Sequence, residues 1–175
     1  MSHATTASLD DATPVTFKRR LTAGLLAAWL LCSPTGLVLA GPIADAAAPG
    51  GQRPTVTTTP TGVAMVNIAA PNGAGQSYNR YNQFNVDPGG LLLNNATTPQ
   101  ISVLGMVIPA NGNLCGRSAN LIINEVVTAI PSQLNGPLGV LGDTAKVIIA
   151  NPNGITCNGC SFLNTPQVTL TTGSI

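Results

Sequence analysis

The chain has 175 residues, with seven Lys or Arg against six Asp or Glu and a single His, a length suited to one domain plus a leader. Beyond residue 40 four bases (Arg53, Arg80, Arg117, Lys146) face four acids (Asp45, Asp87, Glu125, Asp143), so neither nucleic acid nor an anionic membrane finds a net charge to bind. The only His, His3, and the only Trp, Trp29, both precede residue 40, which leaves the remainder without the usual general base, triad member or nitrogen metal ligand.

Lys18-Arg19-Arg20 opens an apolar stretch that Ser33-Pro34-Thr35-Gly36 interrupts before Val38-Leu39-Ala40. A basic patch, an apolar run and a small-residue end make the pattern of a cleavable signal peptide over residues 1–40. Cleavage is expected after Ala40, with Ala46-Ala47-Ala48 as a second candidate site. The interruption leaves the run short of the roughly 20 apolar residues a spanning helix needs, so no stable membrane insertion is expected once the leader is gone. Export is the implied fate.

Residues 41–53, rich in Ala, Gly and Pro, read as a flexible lead-in. Strand-like stretches then recur in order: Thr55–Thr59, Val63–Ile68, Tyr78–Val86, Leu91–Leu93, Ile101–Ile108, Leu121–Val127, Ala145–Ile149 and Val168–Thr171. Between them stand clusters such as Pro71-Asn72-Gly73, Asp87-Pro88-Gly89-Gly90, Asn111-Gly112-Asn113 and Asn151-Pro152-Asn153-Gly154, whose Asn and Gly tolerate the left-handed backbone of tight corners. The one helical candidate, Ser118–Ala129, carries Ile122, Ile123, Val126, Val127 and Thr128, whose branched β-carbons favour strand. The class is all-β. Continuous apolar runs such as Val147-Ile148-Ile149, with turn signals every 20–25 residues, fit a parallel β-helix. Spacing alone leaves a sandwich or barrel nearly as well supported.

Two blocks decide between them by resemblance: Ser77 to Ala96, SYNRYNQFNVDPGGLLLNNA, and Ala145 to Gly173, AKVIIANPNGITCNGCSFLNTPQVTLTTG. Both resemble the N-terminal two-partner secretion domain of filamentous haemagglutinin and of contact-dependent growth inhibition toxins. The NPNGI motif of that family is intact at Asn151-Pro152-Asn153-Gly154-Ile155, and its NPNL motif falls at Asn111-Gly112-Asn113-Leu114, where Gly112 replaces the proline. The resemblance spans about residues 54–173 and implies a right-handed parallel β-helix over 54–175, cut short at its C-terminal end. It implies a secretion-targeting domain of a large exported adhesin or toxin, carried through the periplasm to the surface of a Gram-negative bacterium. Its partner would be the POTRA domains of an outer-membrane transporter, and it implies no cofactor.

The residues keep other readings in view. On its own chemistry NPNGI is a tight turn, with Pro152 fixing φ and Asn153-Gly154 supplying a pair that accepts positive φ. Cys157 and Cys160 are expected to close a small disulfide loop in an oxidising compartment, leaving Cys115 free; three Cys without His fall short of a zinc set. Tyr78, Tyr81 and Phe84 are expected to pack a rung rather than stack on sugar, and the sequon Asn95-Ala96-Thr97 reads as incidental. Direct adhesion to host glycans is the alternative function. A β-helical polysaccharide lyase is a third, and it would need a paired-carboxylate or calcium site.

Overall fold

The structure, a computed structural model, describes residues 41–101, 105 and 107–175. The expected leader lies outside the described residues. Fourteen strands follow in order: β1 (Ile43–Ala44), β2 (Thr55–Thr58), β3 (Ala64–Asn67), β4 (Gln76–Gln83), β5 (Leu91–Asn95), β6 (Gln100–Ile101), β7 (Val107–Ile108), β8 (Leu121–Val126), β9 (Ser132–Leu134), β10 (Pro137–Gly142), β11 (Lys146–Ala150), β12 (Ile155–Cys157), β13 (Ser161–Leu163) and β14 (Val168–Thr171). Short 3-10 turns occupy Gly50–Gln52 and Gly112–Leu114.

Parallel pairing stacks these strands into coils. One sheet runs β3, β5, β10, β13 and a second runs β4, β8, β11, β14, every one of those neighbours parallel. A third wall pairs β9 with β12 and bridges Val86 to Leu134. The chain visits the three walls in turn, which makes a parallel β-helix. Ile122 lies beside Val147 and Val147 beside Val168, steps of 25 and 21 residues. The step from Leu91 to Leu138 is 47 residues, because β6 and β7 are inserted between β5 and β8.

The interior is built from register-matched side chains. Val66, Leu93 and Val140 line up on the first sheet, and Ile122 and Val147 on the second, all 4% exposed or less. Tyr81 and Phe84 join this core edge to face, ring centroids 5.0 Å apart. Polar residues are also stacked inside. Asn79 pairs in register with Asn124, and Asn67 with Asn94. Asn79 Nδ2 donates to Ile123 O at 3.2 Å, and Asn94 Nδ2 to Asn67 Oδ1 at 2.8 Å. Buried amides are tolerable only when bonded in this way.

Three expectations differ from the structure. Residues 41–53, read as a flexible lead-in, hold β1 antiparallel on β4, an Asp45–Arg80 ion pair at 3.8 Å and the buried Ala48. With β2 antiparallel on β3, this segment covers the first edge of both main sheets, where unpaired backbone would otherwise recruit other strands. The single strand expected over Ile101–Ile108 is two short strands paired antiparallel, Gln100 with Ile108 and Ile101 with Val107; Gly105, at φ +75°, lies between them. A uniformly apolar run hides such a reversal. Finally, β9, β10, β12 and β13 have no counterpart among the expected strands.

Candidate functional site

Asn151 follows β11 and is fully buried. Its carbonyl accepts from Gly154 N–H at 3.0 Å, closing a four-residue turn with Pro152 and Asn153 at the corner. This is the arrangement in which Asn, Pro and Gly suit the first, second and fourth positions. The Asn151 side chain does the anchoring: Oδ1 accepts from Asn153 N–H at 3.0 Å, and Nδ2 donates to Ile130 O and Ser132 Oγ, each at 2.9 Å. Asn153 Nδ2 reaches Thr128 O at 2.7 Å. Pro152 and Asn153 are exposed, while Ile155 begins β12 and packs against the core. Positive φ occurs at Gly154 (+107°) and not at Asn153.

The Asn111-Gly112-Asn113-Leu114 segment repeats this bonding scheme. Asn111 is 3% exposed. Its carbonyl accepts from Leu114 N–H at 3.2 Å, and its Oδ1 from Asn113 N–H at 2.9 Å. Asn111 Nδ2 donates to Ile68 O at 2.9 Å and Asn94 O at 2.8 Å, and Asn113 Nδ2 reaches Asn67 O and Ile68 O. Leu114 is buried. Gly112 therefore stands where the proline would, in a turn of the same construction of bonds. The two turns bond to different neighbours, Asn111 to the ends of β3 and β5, Asn151 to residues 128–132.

Cys157 and Cys160 are joined by a disulfide, their Cα atoms 5.3 Å apart, across the corner between β12 and β13. Cys115 is free and exposed. The acids do not converge. Asp45 faces Arg80, Asp143 Oδ2 accepts from Ser118 Oγ at 2.6 Å, and Glu125 accepts from Tyr78 OH. Asp87 opens a turn closed by Gly90 N–H at 2.8 Å, and burial pushes its carboxyl above the ordinary value. Among the described residues no group of three or more His, Cys, Asp or Glu could hold a metal, and no helix is long and apolar enough to cross a membrane. The sequon residue Asn95 is buried, its amide donating to Ala119 O and Asp143 O.

Pro152 and Asn153 also form one wall of a groove of about 430 Å³, shared with Arg80, Glu125, Thr128 and Ser174. None of those four was a candidate from sequence. The available signal was Glu125 itself, a lone acid in the apolar strand Leu121–Val126, at a position that alternation turns outward.

The model of the TPS secretion domain family matches residues 40–175. Among curated proteins, a tRNA nuclease CdiA of Yersinia mollaretii is 60% identical over 64% of this chain and 4% of its own length. A 16S rRNA endonuclease CdiA of Enterobacter cloacae is 47% identical over 91% of this chain and 5% of its own. A hemolysin of Serratia marcescens is 44% identical over 73% and 8%. The chain thus spans less than a tenth of the length of these relatives. The solved structure of the filamentous hemagglutinin secretion domain superposes with a TM-score of 0.68 and 41% identity, covering 77% of this chain and 43% of that one.

Proposed function

The chain belongs to the TPS secretion domain family, and from that membership we propose that it is the secretion-targeting domain of a large exported adhesin or contact-dependent inhibition toxin. It is recognised by the POTRA domains of an outer-membrane two-partner transporter and passes through the periplasm to the cell surface. The observation that carries the reading is the division of labour at residues 151–155. Asn151 spends its side chain entirely inside the coil, and Pro152 and Asn153 are left outside on a fixed turn. A rigid uncharged turn beside a groove is suited to a receptor that reads backbone and shape rather than charge. The domain itself performs no chemistry in this reading; the nuclease activities in the names of the relatives are those of the far longer proteins.

Purified POTRA domains immobilised on a sensor test this, with the chain from residue 41 presented folded and in urea-unfolded form. Binding of at least one form is expected, and joint replacement of Pro152 and Asn153 by Ala should weaken it at least tenfold while circular dichroism stays unchanged. Failure of both forms to bind would overturn the assignment. Capture of host glycans by the folded domain in place of POTRA binding would favour direct adhesion.

A further inference from the structure

Alternate residues of the second sheet face away from the coil interior in two register-matched rows, Tyr78–Ile123–Ile148 and Arg80–Glu125–Ala150. Outward rows of a solenoid are ordinarily wet, yet Ile123, Glu125 and Ala150 are 7%, 8% and 0% exposed. The chain beyond β14 turns back over this face. Ile175 N–H donates to Glu125 Oε1 at 3.1 Å, and Ile175 O accepts from Tyr78 OH at 3.2 Å. Glu125 Oε2 accepts from the same phenol. Ser174 lies in the groove against Arg80, Pro152 and Asn153. Two side chains on adjacent strands thus hold the N–H and the C=O of one residue, while the Ile175 side chain stays 53% exposed. The contact reads main chain, not side chain.

We propose that Tyr78 and Glu125, with the groove beside them, form a binding site for an extended uncharged peptide, and that residues 174–175 occupy it in cis. Arg80 is already engaged by Asp45, so the groove offers no free cation to select an acidic ligand. The partner it fits is an edge-like strand presenting alternating amide and carbonyl groups. The site rests on the reading above in one respect only: the occupant in trans would be a strand of the transporter, and the cis segment would have to leave before that strand enters.

The test uses the pentapeptide of residues 171–175, acetylated and amidated, against the intact chain and a form lacking residues 174–175. The shortened form should bind the peptide at least tenfold more tightly. In the shortened form Glu125→Gln and Tyr78→Phe should each weaken binding at least threefold. A peptide N-methylated at its last residue loses the donor that Glu125 accepts and should fail to bind, a control that leaves the protein untouched. In the intact chain, Ile175 amide exchange should quicken at least tenfold in E125Q. Equal binding to both forms, or indifference to N-methylation, would overturn the proposal. Because no transporter enters the measurement, this outcome is independent of POTRA capture.

Discussion

An asparagine amide offers two donors and two lone pairs, and at positions 111 and 151 most of that capacity goes to neighbouring backbone. Asn151→Ala would leave Ile130 O and Asn153 N–H without their side-chain partners in a site with no room for solvent. The expected cost is about 1–3 kcal/mol for each buried group orphaned, readable as a lowered midpoint in urea unfolding. Gly112 invites the opposite test. A Cβ there would meet nothing within 4 Å, and Asn111 has φ −77° and ψ 108°, an extended conformation that a following proline permits. Gly112→Pro should therefore stabilise the domain by about 0.4–1 kcal/mol through the unfolded chain, again by urea midpoint. That NPNGI is a turn was legible in its residue types. That the substituted motif keeps the same bonds was not, because the partners that fix it, Ile68 and Asn94, are distant in sequence.

Elements were legible in proportion to their length and apolar continuity. The five- to eight-residue strands β4, β5, β8 and β11 coincide with runs of aliphatic or alternating residues and were expected within a few positions. β10 was hidden because Pro137, Gly139 and Gly142 read as a turn; proline is accommodated here as the first residue of the strand. β9, β12 and β13 have three residues each, too few for a period to register. Their placement depends on the coil beneath them. The corner between β12 and β13 is also where the disulfide sits, so its loss should loosen the last coil first. Closing so short a loop is worth about 2 kcal/mol by chain entropy. The double variant Cys157→Ser, Cys160→Ser is expected to lose roughly that much, with faster amide exchange in β13 and β14 than in β5.

For the molecule as a whole, the two tyrosines of β4 set an alkaline limit. Desolvation, and then the Glu125 carboxylate, push the Tyr78 phenol up to about 12 from 10.0, and complete burial drives Tyr81 in the same direction. A raised folded value means the folded state holds its proton more tightly. Their contribution is thus fully present below pH 10 and is lost as pH rises through 10 to 12. Denaturation midpoints should be level from pH 8 to 10 and then fall, and Tyr78→Phe should remove part of that fall while Tyr81 retains the rest. The solenoid class was legible only as one of two all-β solutions until the family resemblance was added, since coil stacking is a relation between residues 21 to 47 apart that local pattern does not record. One consequence follows from the antiparallel cover that β1 and β2 lay over one end of the stack. Assembly acquires a polarity: the lidded end is the part of the domain made from the earliest residues, each later turn needs only its predecessor as a template, and the structure can lengthen in one sense alone, like a thread wound from a closed tip.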